Sequence, residues 1–191
     1  MEKLNSTDLR ELFESCPVIA AAGGDEELHQ AIKSDCPVIF LLYGDILTIE
    51  DQVKTAKDAG KTVFVHVDLV EGLMAREISV EYLKKHTKCD GIISTKSGIT
   101  RKAKELGLLA IQRIFLLDSK ALRGVENFHR QDADFIEVLP GLMPKMIRRI
   151  CDSTDTPVIT GGLISDKADV IGALGAGAVA VSTTAPSVWA M

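Results

Sequence analysis

PVITGG, residues 157–162, places a short β-branched run directly in front of two glycines. Glycine is costly in backbone entropy, so a pair at a strand end signals a tight turn or something that must approach the backbone closely. The same PVI opening recurs at Pro17 and Pro37, which fits a fold built from equivalent units. Comparable apolar runs lie at 17–22, 37–43, 62–69, 91–96, 109–116, 135–140, 157–162 and 178–184, with centres roughly 20 to 28 residues apart. Each is near-continuously hydrophobic, as expected of parallel strands covered on both faces.

Between these runs, segments such as DEELHQAIKSD, TIEDQVKTAKDAGK, DSKALRGVENFHRQ and LMPKMIRRICDS carry apolar residues at helical spacing against a charged face. Several begin at Ser, Thr or Asp and end at Gly, which are helix start and stop signals. The order is βα repeated eight times after a short helix around LRELFES that closes the barrel bottom. Alternating β and α fits an open doubly wound sheet or a closed barrel, and eight units favour a compact (β/α)8 TIM barrel, one domain over residues 1–191.

The net charge of −5 and pI near 5.4 argue against a surface that attracts nucleic acid all over, leaving room for a local basic patch. Aromatic residues, at 5%, are too few for a stacking array. Cys16, Cys36, Cys89 and Cys151 are widely spaced without a CxxC pair, which points to reduced thiols and no metal site. Neither a signal peptide nor a membrane span is apparent, so the expectation is a cytoplasmic protein without membrane association.

A barrel of this kind works at the C-terminal ends of its strands. Asp68 on strand 3, Lys96 on strand 4, Arg113 on strand 5 and Glu137 on strand 6 interrupt the apolar runs there. Two of each sign on neighbouring strands form either an ion-pair network or a polar pocket for a small ligand. Alternation along the third run turns Phe64, His66 and Asp68 inward, with His66 one layer deeper as a hydrogen-bonded core residue or a catalyst. Gly161 and Gly162 at the end of strand 7, with Ser182 and Thr183 at the end of strand 8, form a candidate phosphate cradle of bare amides and hydroxyls. Asp45 in YGD is a rim or capping residue, Gly141 in LPGLMPK approaches the ligand, and GAGA at 175–178 is a helix stop.

The stretches FLLYGDI, VFVHVDLVEGL, DGIISTKSG, KELGLLAIQRIFLLDS, FIEVLPGLMPK, GGLISDK and AVSTTAPSVW resemble the glycerol 3-phosphate-responsive antiterminator family over almost the whole chain, from about Pro17 to Met191. The resemblance implies a non-enzymatic (β/α)8 regulator without a cofactor. Its effector is glycerol 3-phosphate, and its partner is the leader mRNA of a glycerol-utilisation operon. It implies that phosphate meets Gly161, Gly162, Ser182 and Thr183, with the glycerol hydroxyls near Asp68, Lys96, Arg113 and Glu137. On an acidic chain, RNA contact needs a local surface. Lys145, Arg148 and Arg149 are the first candidates, ahead of Arg101, Lys102 and Lys104 and then Lys84, Lys85 and Lys88. The residues themselves leave open a phosphosugar isomerase or aldolase, with Lys96 forming a Schiff base, and a ligand-free interaction module. A homo-oligomer is also left open.

Overall fold

In the computed structural model, which describes residues 4–126, 128 and 130–191, eight parallel strands pair in sequence order and the eighth returns to the first, closing a barrel. They are β1 (Val18–Ala22), β2 (Val38–Leu41), β3 (Thr62–His66), β4 (Gly91–Ser94), β5 (Leu109–Phe115), β6 (Phe135–Leu139), β7 (Val158–Gly161) and β8 (Ala180–Thr183). Every expected strand is present, and the fold is the expected (β/α)8 barrel. Helix α1 (Ser6–Ser15) precedes it, followed by α2 (Asp25–Lys33), α3 (Ile49–Asp58), α4 (Glu77–His86) and α5 (Ser97–Glu105). The second half carries α6 (Ser119–Glu126), α7 (Pro144–Ser153), α8 (Lys167–Gly175) and the short α9 (Pro186–Trp189). The helix expected over 118–131 includes residues 127 and 129, which lie outside the described residues. No described helix is long and apolar enough to cross a membrane.

Strand alternation divides the core in two. Ile19, Val38, Phe40, Phe64, Ile93, Ile111, Phe135, Ile159 and Ala180 fill the barrel, while Val63, Val65, Ile92, Ala110 and Val181 pack outward under the helices. Leu9 and Phe13 of α1 join the inner set, and the Phe13 ring meets Phe135 edge-on at 5.7 Å. The helix therefore plugs the bottom, as its apolar spacing implied. A capping box fixes its start: the Asn5 side chain accepts from the Thr7 and Asp8 N–H groups, and Asp8 accepts from the Asn5 N–H.

Of the strand ends that fall earlier than the sequence suggested, those of β3 and β4 carry a charged site residue off the strand. Strand β3 ends at His66, and Asp68 lies in a 3-10 turn, Val67–Leu69. Strand β4 ends at Ser94, so Lys96 is the residue before α5. The cause is Asp68 itself. Its carboxylate accepts from the Ser94 and Thr95 hydroxyls and the Thr95 N–H at 2.6–2.8 Å, drawing both chain ends into a turn. Gly177, with φ +106°, follows α8 and confirms the 175–178 stretch as a helix stop.

Candidate functional site

The inward positions change character toward the strand C-termini. Above the phenylalanines lies a layer made of His66, Arg113, Glu137, Gly161 and Ser182. Arg113 and Glu137 are register partners on β5 and β6, and Arg113 Nε donates to Glu137 Oε2 at 2.7 Å with both side chains buried. Glu137 Oε1 accepts from Ser182 Oγ on β8 at 2.5 Å. That bond passes over β7 at Gly161, where a Cβ would stand 2.2 Å from Ser182 Oγ and 2.8 Å from Glu137 Oε1. The first glycine of PVITGG is thus required by two side chains meeting across it. Gly162 is required by conformation, since φ is +73°.

His66 is 2% exposed, and its Nδ1 has no hydrogen-bond partner among the described residues. Burial, followed by the Arg113 charge, pushes its pKa down to about 4 against the opposing pull of Asp68 and Glu137, so the ring is neutral at pH 7. Burial works to raise the Asp68 pKa, but the hydrogen bonds from Ser94 and Thr95 outweigh it and hold the carboxyl below its ordinary value.

A cavity of about 460 Å³ opens over this layer, within the usual range for small-ligand sites. Arg113, Gly162, Ser182 and Thr183 line it, with Ala21, Leu42, Leu139, Leu163, Ile164, Ser165, Thr184 and Ala185. Arg113 is the charged residue of that wall. Only its Nε is bonded among the described residues, leaving Nη1 and Nη2 as a two-pronged donor. The backbone N–H groups of Leu163, Ile164 and Thr184, on the loops after β7 and β8, likewise have no protein acceptor among the described residues. The Arg113 fork and backbone N–H groups without acceptors among the described residues, all on residues that line one cavity, make it the candidate anion site.

Other expected residues lie elsewhere or are already engaged. Adjacent residues on a strand face opposite ways, so Ser182 points inward while the Thr183 hydroxyl turns outward, donating to the Ile164 carbonyl at 2.6 Å and accepting from the Ala185 N–H. Glu137, fully buried, is not in the cavity wall; Asp68 and the exposed Lys96 are also outside it. Gly141 packs beneath the β7 loop, its N–H donating to the Gly162 carbonyl at 3.1 Å. Asp45 is a turn residue, its Oδ1 accepting from the Leu47 and Thr48 N–H groups. Among the described residues no cluster of His, Cys, Asp or Glu is placed to hold a metal.

The basic clusters differ in how they are paired. Arg148 donates to the Gly175 carbonyl and Arg149 to Glu126, each at 2.7 Å, while Lys145 is exposed without an ion pair among the described residues. Arg101, Lys102 and Lys104 face Asp132, Glu81 and Asp134. Lys84, Lys85 and Lys88 are exposed, and none makes an ion pair among the described residues.

Sequence reasoning missed Leu163, Ile164 and Thr184, which contribute backbone rather than side chains, and the apolar wall of Ala21, Leu42 and Leu139. The wall was accessible to it, because those three occupy inward positions at strand ends by the same alternation that placed Arg113.

Residues 18–189 match the family described as glycerol-3-phosphate responsive antiterminator. The uncharacterized protein YgcP of Escherichia coli is 42% identical over 96% of each chain. Two of the similar solved structures belong to antiterminator proteins by name. A glycerol uptake operon antiterminator regulatory protein from Listeria monocytogenes has a TM-score of 0.84 at 34% identity, covering 88% of this chain and 92% of that one. A glycerol uptake operon antiterminator-related protein from Thermotoga maritima has a TM-score of 0.80 at 37% identity, covering 91% and 98%.

Proposed function

Because the chain belongs to the glycerol-3-phosphate responsive antiterminator family, we propose that it is a ligand-controlled regulator whose effector, glycerol 3-phosphate, binds in the cavity above the buried ion pair. The observation that carries this reading is Arg113: a buried guanidinium held at Nε by Glu137 that lines a cavity together with Leu163, Ile164 and Thr184, whose N–H groups have no acceptor among the described residues. The phosphate takes the Nη fork and the N–H groups of Leu163, Ile164 and Thr184. Gly162 keeps the backbone bare there, and Ser182 and Thr183 act by holding the strand ends. Asp68 and Lys96 support the neighbouring β4 loop at the rim, and Gly141 supports the β7 loop.

In the liganded state the protein acts on the leader mRNA of a glycerol-utilisation operon. Binding helps only if the effector favours the RNA-competent conformation over the other. RNA contact falls to cations free of acid partners, Lys84, Lys85 and Lys88 first and Lys145 second, with the exposed faces of Arg148 and Arg149 beside Lys145. The aldolase alternative loses support from Lys96, which is exposed and outside the cavity, without the desolvation that activates a Schiff-base lysine.

The test is leader RNA affinity measured with and without glycerol 3-phosphate. Tighter, sequence-specific binding with the effector is expected. Binding of equal strength without it, or to any RNA alike, refutes the proposal.

A further inference from the structure

Helix α4 carries a ring stack beside its unpaired lysines. Tyr82 and His86, one turn apart, lie with ring centroids 4.6 Å apart and an interplanar angle of 26°. Tyr82 is half-buried and fixed at its far end, where its hydroxyl donates to the Ile46 carbonyl at 3.0 Å. Ile46 is itself held, because the loops after β2 and β3 pair through its N–H to the Glu71 carbonyl and the Glu71 N–H to the Gly44 carbonyl, at 2.9 and 2.8 Å. His86 is exposed, and its ring nitrogens make no hydrogen bond among the described residues. One face of the imidazole rests on an anchored ring, which leaves the other as a stacking face. The other exposed rings among the described residues, His29 and Phe115, stack on none.

The charges around this stack are positive and uncompensated. Lys84, Lys85 and Lys88 all lie within two residues of His86 and make no ion pair among the described residues. The acids of α4, Glu77 and Glu81, sit in its first half, and Glu81 is held by Lys102 of α5 at 2.8 Å. Charge thus changes sign along the helix, with the exposed ring at its positive end. Single-stranded RNA is bound by this combination, an unstacked base on a ring and lysines on the phosphates beside it. A symmetric contact between two copies of the chain would instead bring these like charges together and strip their water.

Resting on the RNA-regulator reading above, we infer that His86, backed by Tyr82, is the base-stacking position of the RNA surface. One unpaired base of the leader lies on its open face, and the adjoining phosphates take Lys84, Lys85 and Lys88. The lysines hold any strand by its backbone, whereas the ring accepts only a base free to leave its helix. The stack therefore favours the leader conformation in which that base is unpaired.

Binding of the operon leader RNA to the whole protein at saturating glycerol 3-phosphate tests this. His86→Ala is expected to weaken binding at least about fivefold, and His86→Phe to stay within about twofold of the unaltered protein, because only the ring is needed. The salt slope, Tm and effector affinity of His86→Ala stay unchanged. An abasic nucleotide placed at each unpaired leader position in turn reproduces the loss at one of them, where His86→Ala adds nothing further. If His86→Ala binds the leader as before, if His86→Phe fails as His86→Ala does, or if no abasic position shows that coupling, the stacking position is overturned while the RNA reading stands. If His86→Ala turns a dimer into a monomer with RNA affinity intact, the face is a contact between copies and the inference is likewise overturned. If the unaltered protein binds no leader RNA with the effector present, both readings fall.

Discussion

Replacing Gly161 by Ala introduces one methyl group at the most crowded point of the polar layer. The new carbon would lie 2.2 Å from Ser182 Oγ and 2.8 Å from Glu137 Oε1, far inside contact distance. Either Ser182 gives way, and a fully buried carboxylate loses its hydroxyl donor, or β7 moves away from β6 and β8. Overpacking of this kind costs about 1–3 kcal/mol, and a hydrogen bond to a charged group contributes about 1.5–3 kcal/mol. The expected destabilisation is therefore about 3–5 kcal/mol, equivalent to a Tm drop of roughly 10 °C for a chain of this size.

Urea unfolding of Gly161→Ala, Ser182→Ala and the double variant measures it. With Ser182 Oγ already removed, Gly161→Ala should lose at least about 1 kcal/mol of its effect, the coupling expected of residues in contact. Gly162→Ala is the comparison: its left-handed backbone costs about 1–2 kcal/mol, and its added carbon meets the movable end of Leu139 at 3.2 Å and not a buried polar pair. A Gly161→Ala effect below that of Gly162→Ala, or strict additivity with Ser182→Ala, would refute the packing explanation for the first glycine.

Arg113→Lys keeps a charge beside Glu137 but loses the fork, and should weaken glycerol 3-phosphate binding at least tenfold by calorimetry while preserving the fold. The His66 ring resists protonation until about pH 4, whereas the unfolded chain takes up its proton near 6.5, so stability falls as pH drops through that window. The loss is up to about 3 kcal/mol, and His66→Gln should remove it in urea titrations compared at pH 7 and pH 4.5. Asp68 behaves differently: with its pKa held down, its contribution is present above pH ~4 and fades only below. Asp68→Asn should therefore cost about 1–2 kcal/mol at neutral pH through weakened bonds to the β4 loop. Changing Lys84, Lys85 and Lys88 together to Ala should lower the salt slope of RNA binding by about two units, and an unchanged slope would exclude that face.

Eight apolar runs at regular spacing made the barrel readable, because strands covered on both faces have few ways to be anything else. Alternation turned Phe64 and His66 inward as found, but His66, expected one layer deeper than the pocket, shares the layer of Arg113, Glu137 and Ser182. What the same rule implies, and the pairing of Ser182 with Thr183 as one cradle overlooked, is that Thr183 must face away from Ser182. Asp68 was misplaced onto a strand because its local composition is strand-like, while its carboxylate prefers three donors in the next loop to a ladder position. The anion donors on Leu163, Ile164 and Thr184 had no residue-type signal at all, since every non-proline residue carries the same N–H. Glycine at 161 was visible, but which neighbour needed its missing carbon is a fact about β6 and β8.

The plug formed by Leu9 and Phe13 has a bearing on traffic. With the buried Phe40, Phe64 and Phe135 above it, it fills the N-terminal end of the barrel among the described residues, and the cavity lies at the opposite end of the strands. Water must leave by the way a ligand would enter, so changes in the loops after β7 and β8 should alter arrival rates, while Arg113 beneath them should act chiefly on departure.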